Sequence, residues 1–273
     1  MPTATPAPND AALVARQYAT DEHLQTRVRT HQRYSVGQNL ENRVDALLGL
    51  RGAEALLDVG TGPGTFPARL HAAGHRGRLV GVDLSAGMVH RAQASSAGVE
   101  FVQAGADALP FPDASFDVLT ARHMLYHVPS VPDALAEFRR VLKPGGRFLA
   151  VTNAAVYMNE LWDAVREAAK TEPELEPVVG ELTSFAGTFS ERNGVAWVQE
   201  AFGNAQMTLS DDALLFPAPA PALAYLESIP SWLSLDEDQQ VQGRAALLDV
   251  LAHLFSDGLW RVSKPCVFIM AGR

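Results

Sequence analysis

The sequence predicts an α/β fold: a doubly wound, mostly parallel seven-stranded sheet, with N-terminal helices and helical insertions forming a lid. Three observations predict it. Short β-type runs alternate with segments of helical length through the middle of the chain, the pattern of repeated βαβ units. That alternation opens on Leu56-Leu-Asp-Val-Gly-Thr-Gly-Pro-Gly-Thr-Phe66, an apolar strand that runs into a glycine loop and then a helix. Acidic residues also stand at or just beyond the ends of three successive strands, at Asp58, Asp83 and Asp107. They fall at the carboxyl edge, where open α/β sheets bind ligands.

The central strands are expected at Ala55 to Val59, Leu79 to Asp83, Val99 to Gln103, Phe116 to Ala121 and Arg147 to Thr152. Ser85 is suited to N-cap a helix through Met88, Val89 and Ala92, which Gly98 closes. Pro132 and Asp133 open a helix carrying Leu135, Phe138, Val141 and Leu142, and Lys143-Pro-Gly-Gly146 ends it. Upstream, Asp10 to Leu50 reads as helical with a break near Tyr34-Ser-Val-Gly37. Downstream, Met158 to Ala169 is helical until the prolines of Glu172-Pro-Glu-Leu-Glu-Pro177 break it. Gln206 to Phe216 then reads as one strand, Pro217 to Pro221 as a turn, Ala222 to Ser228 and Asp236 to His253 as helices, and Val262 to Ala271 as the last strand.

Composition removes several function classes. Of the 273 residues 47% are hydrophobic and 19% charged, a globular mixture, and no apolar run approaches the length of a bilayer span. A net charge of −9 repels phosphate backbones, so nucleic acid is an unlikely partner. The densest basic stretch, Arg27, Arg29 and Arg33 beside Asp21 and Glu22, reads as a solvated helix face. The single cysteine, Cys266, allows no internal disulfide and no multi-thiolate metal site. Residues 1–10 lack the basic and apolar parts of a secretory signal, so they read as a frayed tail and a cytoplasmic setting is expected.

The glycine loop lets backbone pass close to a ligand. A dinucleotide fingerprint would place its third glycine at Thr65, and Asp58 would repel a pyrophosphate, which argues against a nicotinamide-dependent oxidoreductase. Asp83 is placed to accept both hydroxyls of an adenosine ribose, and Asp107 to accept from an adenine amino group.

With these elements in this order, the chain resembles the class I S-adenosylmethionine-dependent methyltransferases, in particular the small-molecule group of the ubiquinone and menaquinone methyltransferases. The resemblance covers about Leu56 to Thr152. It is carried by Leu57-Asp-Val-Gly-Thr-Gly-Pro-Gly64, Gly81-Val-Asp-Leu-Ser85, Ala106-Asp-Ala-Leu-Pro-Phe111, Ser115-Phe-Asp-Val118 and Arg140-Val-Leu-Lys-Pro-Gly-Gly-Arg147. It implies a Rossmann-like domain in which Gly60, Thr61 and Gly62 approach the methionine part of the cofactor and Asp58 lies near its ammonium group. Asp83 would hold the ribose, Leu84 flank the adenine, and Asp107 with Ala108 meet the adenine's polar edge. Arg122, closing the fourth strand, is counted with this set. Many members have Cys where this chain has Thr61, and the Arg140 motif is expected to end a helix and pack.

The implied organisation is a tail over 1–10, a helical lid over 11–50, the cofactor-binding core over 51–153, a helical insertion over 154–204, and C-terminal strands with inserted helices over 205–273. Methyl transfer by in-line displacement from S-adenosylmethionine, leaving S-adenosylhomocysteine, needs alignment and exclusion of water, and a base only for a protonated acceptor. His123 and His127 are the candidate bases, and Tyr18, His31 and Tyr34 the candidate acceptor contacts. Phe185, Phe189, Trp197 and Phe202 either line an apolar acceptor pocket or pack in the core. There is no zinc-ligand spacing, and Arg122 and His123 stand where a magnesium site would want carboxylates, so metal independence is expected. An RNA methyltransferase and a non-catalytic cofactor-binding protein are the alternatives. The acceptor, its reacting atom and the oligomeric state are left open.

Overall fold

The computed structural model describes residues 21–180, 188–255 and 258–273. The chain opens with α1 (Asp21–Tyr34) and the two-residue strand β1 (Ser35–Val36). There follow α2 (Leu40–Leu48), β2 (Leu56–Val59), α3 (Thr65–Ala72), β3 (Leu79–Asp83), α4 (Ala86–Ser95), β4 (Glu100–Gln103), β5 (Phe116–Arg122), α5 (Val131–Val141) and β6 (Leu142–Asn153). Next come α6 (Asn159–Ala169), α7 (Gly194–Phe202), β7 (Gln206–Leu209), β8 (Ala213–Phe216), α8 (Pro219–Glu227), α9 (Pro230–Leu233), α10 (Glu237–Leu254), β9 (Trp260–Ser263) and β10 (Cys266–Gly272).

These elements sort into two units. The sheet unit comprises Asn39–Asn153, Thr188–Leu209 and Val267–Arg273; the helical unit comprises the segments up to Gln38, Ala154–Gly187 and Ser210–Cys266.

In the sheet unit seven strands lie in the order β4-β3-β2-β5-β6-β10-β7. The pairs β3/β4, β2/β3, β2/β5 and β5/β6 are parallel, and β10 with β7 is antiparallel. This is the predicted mostly parallel, doubly wound sheet. Its central strands are apolar along both faces: Leu56, Leu57, Val80, Val82, Val118 and Leu119 are at most 3% exposed. The chain steps outward from β2 to β4 and then returns to β5 on the other side of β2. The switch point therefore falls between the carboxyl ends of β2 and β5.

Local signals explain the helix starts. Asn39 caps α2 by accepting from the N–H groups of Glu41 and Asn42, Ser85 caps α4 through Met88 and Ser130 caps α5 through Asp133. Two expectations in this region change. α4 ends at Ser95, with extended Ser96 after it; Gly98 lies beyond the helix end, against the ring of His71. After α5, the pairing of Phe116 with Leu142 jumps to Val118 with Arg147, so Lys143-Pro-Gly-Gly146 is an excursion within β6.

In the helical unit, β1, β8 and β9 form an antiparallel three-stranded sheet in the order β1-β8-β9. Its apolar core combines Leu161, Val165 and Ala168 of α6, Leu223 and Leu226 of α8, Leu247 and Leu251 of α10, and Trp232 and Trp260. Asp236 and Gln239 form a reciprocal capping box at the start of α10. Here the strand expectations are corrected. Gln206 to Phe216 is two strands in two sheets, divided at Ser210, and Val262 to Ala271 divides at Pro265, which has no N–H to continue a ladder. Helix α8 begins at Pro219, inside the expected turn, because proline is well suited to a first helical turn.

Candidate functional site

β2 carries Asp58 to the switch point, where it is 1% exposed. One carboxylate oxygen accepts from Thr61 Oγ1 at 2.8 Å, and the other accepts from Thr120 Oγ1 of β5 at 2.7 Å. Arg122 Nε lies 3.5 Å from the second oxygen. Arg122 also donates to Glu41 of α2 at 2.9 Å, and its guanidinium carbon sits 3.9 Å above the ring of Phe66 on α3. Protein groups therefore engage Arg122 on three sides, and through it α2, α3 and β2 are tied together around the glycine loop. Glu41 is shared with Arg69 of α3, which also forms a bidentate pair with Asp45 at 2.7 and 2.8 Å.

The loop has two glycines that its geometry requires. Gly60 has φ +69°, and a Cβ there would lie 2.5 Å from Met124 Cβ. Gly62 has φ +57°, and a Cβ there would meet no protein atom within 4 Å. Thr61 N–H donates to Val82 O at 2.9 Å and Gly62 N–H to Asp83 Oδ2 at 2.8 Å, so the loop is pinned to the end of β3. Asp83 Oδ1 accepts from Ser85 N–H at 2.9 Å. Burial raises the Asp83 pKa, two backbone N–H donors oppose that, and the charge of Asp58 adds to it. Each Asp83 oxygen retains acceptor capacity for a ligand hydroxyl.

Beside it Leu84 is 58% exposed, an uncovered apolar side chain next to a carboxylate. Asp107 and Ala108 are exposed on the loop after β4, and Ala104 N–H donates to Asp83 O at 3.1 Å. A clamp missed by sequence reasoning holds this loop. Glu137 accepts from Leu109 N–H at 2.9 Å and from Arg140, which donates to Leu109 O at 3.0 Å and to Phe111 O at 2.7 Å. The spacing of Glu137 and Arg140, three apart on a helix, was the available signal. Arg140 thus shapes the loop bearing Asp107 as well as standing near the end of α5.

His123 follows β5 at φ +51°, a strained conformation for a residue with a side chain, and its N–H donates to Val151 O at 2.7 Å. His127 lies in the short 3₁₀ turn Leu125–His127, its ring edge-on to Tyr126 at 4.5 Å, and burial pushes it down to about 4. His31 and Tyr34 belong to the helical unit, where His31 Nε2 is 3.5 Å from Tyr157 Oη and Tyr34 packs 5.6 Å from Phe216. Tyr18 and Phe185 lie outside the described residues. Phe189 stacks on Trp197 and Phe202 on Phe148, at 6.2 and 5.1 Å; Phe189 and Phe202 pack in the core of the sheet unit, while Trp197 is half-buried and lines a cavity with Pro132, Ala136 and Arg139. Among the described residues no group of three or more His, Cys, Asp or Glu side chains is arranged to hold a metal. No helix among them is long and apolar enough to cross a membrane.

Residues 57–150, from β2 through most of β6, match the family described as a methyltransferase domain. Across this stretch and its flanks the chain is 40% identical over 110 residues to a ubiquinone/menaquinone biosynthesis C-methyltransferase of Hahella chejuensis, covering 38% of this chain and 44% of that protein. It is 32% identical over 176 residues to a malonyl-[acyl-carrier protein] O-methyltransferase of Erwinia pyrifoliae, covering 64% and 61% respectively. The chain spans about half the length of the curated relatives it matches. A Haemonchus contortus phosphoethanolamine N-methyltransferase, solved with S-adenosylhomocysteine and its phosphorylated amine, shares the fold with a TM-score of 0.59 at 16% identity, over 98% of this chain and 60% of that one. The sheet order around residues 57–150 is thus a fold shared with that solved structure.

Proposed function

We propose that the protein is an S-adenosylmethionine-dependent methyltransferase acting on a small-molecule acceptor in the cytoplasm without a metal ion. The observation that carries this reading is the join between Gly62 and Asp83: open space where a side chain would stand, beside a half-buried carboxylate fixed by two backbone N–H groups. A nucleoside ribose fits that pair, with its two hydroxyls donating to Asp83. Exposed Leu84 offers a face for the adenine, and Asp107 and Ala108 stand at its polar edge. Gly60 and Thr61 would border the amino-acid end, with buried Asp58 supplying negative potential behind them.

When bound, S-adenosylmethionine supplies a methyl carbon activated by its sulfonium for in-line displacement. The chain's own task is placement. Asp58, Thr61, Thr120 and Arg122 hold the glycine loop in one shape before any ligand arrives, which lowers the ordering cost of binding. His123, fixed at the carboxyl end of β5 by its backbone bond to Val151, is the better candidate to take a proton from the acceptor. His127 packs against Tyr126 and is the poorer one.

Isothermal titration with S-adenosylmethionine and S-adenosylhomocysteine tests the reading. Wild type is expected to bind both, and Asp83→Ala to weaken each by at least about tenfold, or roughly 1.4 kcal/mol. Absence of binding at millimolar ligand sinks it.

A further inference from the structure

Building on the methyltransferase reading, we infer that Glu137 and Arg140 of α5 are positioning residues for the cofactor's base: they grip the backbone of the loop after β4 and so set how strictly Asp107 demands an adenine amino group. β4 ends at Gln103, and Ala104 N–H ties the start of the loop to Asp83 O at 3.1 Å. Beyond it Asp107 and Ala108 are exposed, while Ala106 and Leu109 on either side of them are 9% and 4% exposed. Within the loop Ala108 N–H donates to Gly105 O at 3.3 Å and Phe111 N–H to Leu109 O at 2.8 Å. Asp107 Oδ1 lies 2.6 Å from where a Cβ on Gly105 would stand, so the carboxylate is folded back over the loop's glycine. Where that carboxylate sits therefore depends on the path of the loop backbone.

Two side chains of α5 hold that path as a neighbouring strand would. Leu109 N–H donates to Glu137 Oε2 at 2.9 Å and Leu109 O accepts from Arg140 Nη2 at 3.0 Å, so both backbone polar groups of one residue are bonded, as in a ladder. Arg140 Nη1 donates to Phe111 O at 2.7 Å and to Asp113 Oδ1 at 2.9 Å. Nε and Nη2 donate to the two Glu137 oxygens at 2.7 and 2.8 Å. The five N–H donors of the guanidinium are thereby all in use. Hydrogen bonding from Arg140 holds the Glu137 carboxyl below its usual range, and the same pairing raises Arg140, so both partners stay ionised.

α5 is a firm base for the grip. Leu135, Phe138 and Val141 are fully buried, and the Phe138 ring lies 5.7 Å from that of Phe148 on β6. The loop is thus referred to the core of the sheet. Asp107 stands two residues from the gripped Leu109, and a backbone shift of about 1 Å is enough to spoil a hydrogen bond to a ligand. Lysine at position 140 would keep the charge but lose the planar fork, so it could not hold Glu137, Leu109 O and Phe111 O together. A residue that merely stabilised the fold would alter affinity for every base alike. One that positions Asp107 alters the preference between bases.

The test measures binding of S-adenosylhomocysteine and of S-inosylhomocysteine, whose base carries an oxo group in place of the amino group, to the full chain by titration calorimetry. Wild type is expected to prefer the adenine form by about tenfold or more, and Asp107→Ala to bring that preference within about threefold. Arg140→Lys should do the same. Glu137→Gln, which keeps an acceptor for Leu109 N–H and serves if Arg140→Lys does not fold, should lower the preference by about threefold. Arg140→Lys added to Asp107→Ala should lower it no further, since both changes act at one amino group. A wild-type preference kept in Arg140→Lys and Glu137→Gln overturns the positioning role, as does a double variant that loses preference beyond Asp107→Ala. Equal binding of the two forms by wild type overturns it too and leaves the methyltransferase reading standing. Binding of neither form at millimolar ligand sinks that reading itself.

Discussion

Asp58 in the sheet unit and Lys264 in the helical unit are both charges drawn away from water, and folding treats them in opposite ways. Asp58 is 1% exposed and surrounded: two threonine hydroxyls and Arg122 meet its oxygens. Lys264 is half-buried and its ammonium meets no partner among the described residues. A fully compensated charge fixes shape, whereas a half-buried one keeps its contact with water.

The contrast can be broken by substitution. The largest effect is expected from Arg122→Met, which leaves Asp58 buried without its cation and should cost about 3 kcal/mol in urea denaturation. Lys264→Met should move the same midpoint by no more than about 0.5 kcal/mol. Equal losses from the two variants would erase the distinction.

A smaller effect, shared by both units, comes from one histidine in each. Burial holds His31 and His127 near 4 in the fold, while the unfolded chain takes up those protons near 6.5. Stability contributed by the neutral rings is complete above about pH 6.5 and is lost as pH falls toward 4. Urea midpoints at pH 7 and pH 5 should differ in that direction, and His31→Gln or His127→Gln should each flatten the slope. The smallest effect is expected where an ion pair is open to solvent. Arg78 and Glu100 pair at 2.8 Å across β3 and β4 with both side chains 46% exposed, so Arg78→Met is expected to cost about 0–1 kcal/mol and to lose its salt dependence.

The sheet unit was readable because its signals are local and ordered. The glycine loop, Asp83 and the five parallel strands each follow from a few contiguous residues, and the switch point follows from their sequence. The contacts of Arg122 with Glu41 and Phe66 were not legible in its own motif, since they depend on helices far away in the chain. The clamp of Glu137 and Arg140 on the Asp107 loop was missed for the same reason. The helical unit was harder to read. A β-type pattern from Gln206 to Phe216 records an alternation of side chains, but says nothing of a change of sheet at Ser210. The meeting of Tyr157 with His31 joins two segments more than a hundred residues apart, and no spacing rule reaches that far.

The position of β10 has a consequence for synthesis. It lies between β6 and β7, although it follows both in sequence. As the polypeptide emerges from the ribosome, β6 therefore stays an open edge while more than a hundred further residues are made, and β7 has no neighbour to pair with. Native pairing there is delayed until β10 has emerged, which lengthens the period in which an unpaired apolar edge is open to intermolecular pairing. Truncation of the last strand should be far more damaging to soluble yield than its seven residues suggest.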